Sequence, residues 1–101
     1  MITRWLIRLE LARDDDGPLG DEVTRELTRR LTEDGAQPVL DRGDAGAVLV
    51  QMTVDANSDR AARAAAESML RDRAYEVWAA LGLPPFTITF VEAEREGGPR
   101  P

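Results

Sequence analysis

With 101 residues, 43% of them hydrophobic, the chain is the size of one domain that can bury a single core and too short for two. Its 19 acidic and 13 basic residues leave a net charge of -6, which opposes approach to phosphate backbones and anionic lipid, so neither nucleic acid nor membrane is expected as a partner. Cysteine is absent, which excludes a disulfide framework or a thiolate and fits a reducing cytoplasm; no segment reaches the roughly 18 apolar residues of a membrane span, and charges interrupt the apolar N-terminus where a signal peptide would need none.

From Ile2 to Leu11 apolar residues alternate, with Trp5, Ile7, Leu9 and Leu11 on one side and Arg4, Leu6, Arg8 and Glu10 on the other, the pattern of a half-buried strand. Turn formers follow from Arg13 to Pro18. Leu19, Val23, Leu27 and Leu31 then recur at a spacing of four, which predicts an amphipathic helix ended by Gly35. Val39 and Leu40 form a short second strand, and the turn Arg42-Gly43-Asp44-Ala45-Gly46 leads to a third, Ala47 to Val54, with Val48, Val50, Met52 and Val54 inward. In a secreted protein Arg42-Gly43-Asp44 would read as an adhesion motif; here it reads as a hairpin turn.

Asn57 or Ser58 can cap the next helix, whose apolar stripe is Ala62, Ala66, Leu70, Ala74, Val77 and Leu81, widened by Met69 and Trp78, and which runs to Gly82. A last strand follows Pro84 and Pro85, with Phe86, Ile88 and Phe90 inward and Thr87, Thr89 and Val91 outward. One domain is expected over 1–93, with a frayed, charged Gly/Pro tail over 94–101. Glu26 with Arg30, Arg29 with Glu33, Asp59 with Arg63 and Glu67 with Arg71 stand four apart, as solvent-facing ion pairs do on helices.

Each long strand has one apolar and one mixed face, as in a sheet covered on one side only. Pro38 and Pro84-Pro85 open the second and fourth strands, which places those two at the sheet edges. The element order over residues 2 to 92 resembles the ferredoxin-like superfold, including small regulatory domains of the ACT type, in which a Gly-containing loop after the first strand meets a ligand; Asp16-Gly17-Pro18 stands there in this chain. The resemblance implies an α+β fold, a βαββαβ four-stranded antiparallel sheet of order 4-1-3-2 with two helices on one face. It implies no activity, because such superfolds host many.

Without His, Cys or Lys the chain lacks the commonest general base, the soft metal ligands and the usual Schiff-base and thiolate nucleophiles, so no enzyme activity and no cofactor are expected. All 13 basic residues are Arg, a coding bias more than a design for Arg chemistry. Gly17-Pro18-Leu19-Gly20 has neither phosphate-loop nor dinucleotide spacing. In a sheet of order 4-1-3-2 the first and third strands are expected as parallel neighbours whose C-terminal ends share a rim, so that Asp14, Asp15 and Asp16 approach Asp55, Asn57 and Asp59, a set of hard oxygen ligands suited to Mg²⁺ or Ca²⁺. The plainer expectation is that these are solvated loop and capping residues with no metal.

The five aromatics fall mostly on inward positions and read as core, not as a stacking platform for bases. The uncovered face then carries Arg4, Leu6, Arg8, Leu49, Gln51, Thr53, Thr87, Thr89 and Val91. A face with apolar residues beside Arg and Thr leads to a non-catalytic protein-interaction or regulatory module that docks a partner, first of all a second copy in a homodimer whose rim charges Arg4, Arg8 and Glu10 pair across a two-fold axis. Edge pairing is disfavoured by the prolines. The alternative is a sensor of a small anionic ligand held by Arg4 and Arg8 or by the helix N-termini; a Mg/Ca-dependent carboxylate enzyme ranks below both.

Overall fold

Alternation, capping and turn chemistry set the elements in the computed structural model, which describes residues 2–15, 17–43 and 46–95. In order they are β1 (Thr3–Arg13), α1 (Asp21–Glu33), β2 (Val39–Arg42), β3 (Val48–Ala56), α2 (Asp59–Leu81) and β4 (Phe86–Arg95). The four strands make one antiparallel sheet of order β2-β3-β1-β4, which is 4-1-3-2 read from the other edge.

Ser58 caps α2 by accepting a hydrogen bond from the Ala61 N–H at 3.2 Å, which satisfies a donor that the first helical turn leaves free. Gly35 ends α1. At φ 79 it takes the left-handed conformation that lets its own N–H reach Thr32 O at 3.0 Å and the Ala36 N–H reach Leu31 O at 3.1 Å, so two carbonyls of the last turn are bonded. Gly46 has a different reason to be glycine: a Cβ there would stand 2.7 Å from Pro18 Cα, and its carbonyl accepts from the Leu19 N–H at 3.0 Å. That close approach ties the β1–α1 loop to the β2–β3 hairpin.

Both helices lie on the same face. Val23, Leu27 and Leu31 of α1 meet Ala62, Ala66, Leu70, Ala74 and Val77 of α2 in one core with Ile7, Leu9, Leu11, Val48, Val50 and Met52 from the sheet. The run of alanines on α2 presents little side chain, so the helix backbone can approach the central strands. Arg30 joins the helices outside this core, donating to Glu26 on its own helix and to Glu76 on α2 at 3.0 Å, while Arg73 reaches Glu76 and Asp34.

Three expectations are corrected and one irregularity is added. β1 and β3 are antiparallel, not parallel, so the end of one strand lies beside the start of the other. β4 runs on to Arg95, with Glu94 opposite Leu6 and Arg95 opposite Trp5, so the first two residues of the expected tail belong to the sheet; 96–101 lie outside the described residues, as do Asp16 and Asp44. Between Leu9 and Arg8 the β1–β4 register gains one residue on β4, a bulge at Val91. Of the four helical ion pairs, Arg63 departs from the pattern, its guanidinium lying 3.7 Å above the Phe90 ring instead of beside Asp59.

Candidate interaction surface

Strand register decides which side chains share the uncovered face. Across β1 and β3 it sets Arg4 opposite Asp55, Leu6 opposite Thr53, Arg8 opposite Gln51 and Glu10 opposite Leu49. Across β1 and β4 it sets Glu10 opposite Thr89 and Ala12 opposite Thr87, then, past the bulge, Arg8 opposite Glu92 and Leu6 opposite Glu94. All nine expected residues, Arg4, Leu6, Arg8, Leu49, Gln51, Thr53, Thr87, Thr89 and Val91, are therefore brought onto one face. β2 adds Val39 opposite Gln51 and Asp41 opposite Leu49.

The bulge changes what that face is made of. Strict alternation from Phe86 would send Glu92 toward the helices; the extra residue at Val91 restores it to the open side, where its carboxylate accepts from Arg8 Nη1 at 2.6 Å. Arg8 Nε donates to Gln51 Oε1 at 3.2 Å, so one guanidinium lies across three strands, held on both sides. Arg4 Nε meets Asp55 Oδ1 at 3.3 Å. Both arginines of the face are thus engaged within the protomer, and the pairing across a two-fold axis expected of them has lost its free cations.

Among the described residues Glu10, Asp41 and Glu94 keep carboxylates that no guanidinium of this face neutralises, and Glu10 and Asp41 flank Leu49 on either side, which leaves the surface acidic. Apolar side chains stand among these groups: Val39 on β2, Leu49 on β3 and Val91 on β4 are 50%, 39% and 49% exposed and, with Arg8, Asp41 and Gln51, surround a shallow hollow of about 130 Å³. Ligand pockets for small molecules run to roughly 300–1,000 Å³. The hollow is well below that size.

Of the two helix N-termini expected to hold an anion, that of α2 has its serine cap and Asp59, while that of α1 has no side-chain cap but carries Asp21 and Glu22, carboxylates that oppose an anion there, with Asp21 paired to Arg42 at 2.6 Å. The acidic rim does not assemble. Because β1 and β3 are antiparallel, Asp14 and Asp15 stand at one end of the sheet and Asp55 and Asp59 at the other. Asp14 accepts from the Thr87 hydroxyl; Asp15 accepts from Arg13 and from the Gly17 N–H, which together hold its carboxyl below its ordinary range. Among the described residues no three carboxylates come together as a cation site.

Val39, Asp41, Glu92 and Glu94 are the face residues that alternation alone did not give. The signal was present for two of them: a charged Glu92 falling on the inward parity of β4, after three apolar inward residues, marks a bulge. No helix among the described residues is long and apolar enough to cross a membrane. The chain matches no family model, no curated protein and no solved structure, so no relative lends it a substrate or a partner.

Proposed function

We propose that this chain is a non-catalytic, cytoplasmic protein-interaction module of ferredoxin-like architecture, and that its open sheet face docks a basic, partly apolar surface of a protein partner. The observation that carries this reading is the pairing of exposed Val39, Leu49 and Val91 with the uncompensated acids Glu10, Asp41 and Glu94 around them. Apolar contact at these side chains supplies affinity, and complementary charge beside them steers and orients the partner. The ferredoxin-like assignment is supported by the strand order and by both helices covering one face. The non-catalytic part is supported by a sequence without His, Cys or Lys.

Capture from lysate of the source cell, with the full chain as bait, tests the reading when three forms are compared. Proteins held by the wild type and by Ala64→Arg, an exposed position on α2, should be lost with Leu49→Arg and released by raised salt. Retention of the same proteins by Leu49→Arg would place the contact elsewhere.

A further inference from the structure

β4 is an edge strand of ten residues, well beyond the usual five or six, and its first half, Phe86-Thr87-Ile88-Thr89-Phe90, is uncharged and made of aromatic and β-branched residues. Edges of this kind template pairing with another chain, and proteins normally charge, cover or pair them. The prolines do not blunt it: Pro84 and Pro85 precede the strand and leave its donor row intact from Phe86 onward.

The segment also reads the same in both directions. Laid antiparallel on itself about Ile88, it sets Phe86 opposite Phe90, Thr87 opposite Thr89 and Ile88 opposite its own copy. Aromatic, threonine and β-branched pairs of this sort are the favoured cross-strand neighbours. Both ends of the match close together, because the next position would place Pro85 against the bulge at Val91, where the strand bends away.

We infer that two copies of this chain pair along β4, antiparallel about a two-fold axis at Ile88, so that their sheets join edge to edge. The contact is isologous, as a self-complementary strand requires. It is separate from the open-face docking proposed above and leaves that face free.

The helix side of the edge is equally unfinished. Phe86, Ile88 and Phe90 remain partly exposed, whereas Ile7, Leu9 and Leu11 of β1 and Val48, Val50, Met52 and Val54 of β3 are buried. Tyr75 is 61% exposed beside Phe86, ring centroids 5.1 Å apart, and with Trp78, Leu83, Pro85 and Phe86 it lines an apolar groove of about 580 Å³. Pairing Phe86 with Phe90 sets the second copy's Phe90 and the guanidinium above it against this groove, which is covered from the same two-fold.

The absence of cysteine makes the register directly testable. Thr87 and Thr89 are exposed on the open side, so Thr87→Cys and Thr89→Cys can be made singly. Opposite residues in an antiparallel pair lie about 4.5–5.5 Å apart between Cα atoms, inside the disulfide window, whereas diagonal positions lie about 7–8 Å apart and outside it. Under mild oxidation a mixture of the two variants should give a covalent dimer and neither variant alone should. In sedimentation the wild type should dimerise at micromolar concentration, Thr87→Lys/Thr89→Lys should weaken that by about tenfold by setting lysines opposite one another, and Leu49→Arg should leave it unchanged. A wild type that stays monomeric at high micromolar concentration, or cross-linking as strong in the single variants as in the mixture, overturns the pairing. Loss of the dimer with Leu49→Arg but not with the lysines assigns self-association to the open face and overturns it as well.

Discussion

Val50 and Leu49 are neighbours in β3, yet Val50 is 1% exposed beneath the helices and Leu49 is 39% exposed on the other side. The same contrast runs along β1, where Leu9 is buried and Arg8 is strapped between Gln51 and Glu92 on the open side. On the covered face apolar side chains from both helices and the sheet fill one core, and the fold has no buried polar or charged residue there among those described. On the open face Arg4 with Asp55 and Arg8 with Gln51 and Glu92 bond across strands, while among the described residues Glu10, Asp41 and Glu94 stay unpaired and Val39, Leu49 and Val91 stay partly exposed. One side of the sheet is buried by the fold; the other, on the reading proposed above, is the side that meets a partner.

The contrast can be broken first by volume. Leu70 is fully buried, so Leu70→Ala should cost about 2–5 kcal/mol through lost burial plus a cavity. Ile88, inward but only partly buried at the edge, should lose near the low end of that range, about 2 kcal/mol, and outward Thr89→Ala should stay within about 0.5 kcal/mol. Urea melts of the three, in dilute protein, rank them; equal losses for Ile88→Ala and Thr89→Ala would mean that the two faces of β4 are not different.

Charge provides the next test. The carboxyl of Glu76 is held below its ordinary range by Arg73 and then Arg30, and that of Glu26 by Arg29 and then Arg30. A carboxylate depressed in the folded state binds fewer protons folded than unfolded, so its stabilisation is present above the ordinary carboxylate range and fades as pH falls through the lower folded value. Glu76→Gln should therefore be less stable than the wild type at neutral pH, and the difference should close in acid. A gap that persists below the carboxylate range would assign the loss to packing rather than charge.

Smallest of all should be the effect of divalent cations. Millimolar Ca²⁺ or Mg²⁺ is expected to leave the melting temperature in place, because Asp14 and Asp15 are separated from Asp55 and Asp59 by the length of the sheet. A specific site at a hundredfold excess over its dissociation constant would add about 2.7 kcal/mol, a shift easily seen in a domain of this size. Such a shift, abolished by Asp55→Asn, would show that the two ends meet.

Parity was readable in the residues because period-two alternation with one apolar face is a strong local pattern: Ile7, Leu9 and Leu11 on β1 and Val48, Val50 and Met52 on β3 all point where their spacing sends them. Ser58 and Gly35 were readable for the same local reason, since a cap is chosen by one residue's chemistry. What failed depends on partners far along the chain. Strand direction decides whether Asp14 meets Asp55, and an antiparallel sheet of order 4-1-3-2 already sets β1 and β3 in opposite directions, so the parallel placement conflicted with the fold expected for the chain. The engagement of Arg8 by Glu92, 84 residues away, needs both the pairing of β1 with β4 and the bulge at Val91. The extension of β4 through Glu94 and Arg95 was hidden by their charge, which reads as tail until β1 is placed beside them.

The division of labour between the faces is tested most directly by Met52→Ala and Leu49→Arg, two substitutions three residues apart on opposite sides of β3, each measured for stability and for capture of partner proteins. Met52→Ala, at a fully buried position, should lose about 2–5 kcal/mol and, below its melting temperature, still capture what the wild type captures. Leu49→Arg should melt within about 0.5 kcal/mol of the wild type and capture none of it. If Leu49→Arg unfolds as readily as Met52→Ala, or folds normally and binds as before, the open face is not the side of the molecule reserved for a partner.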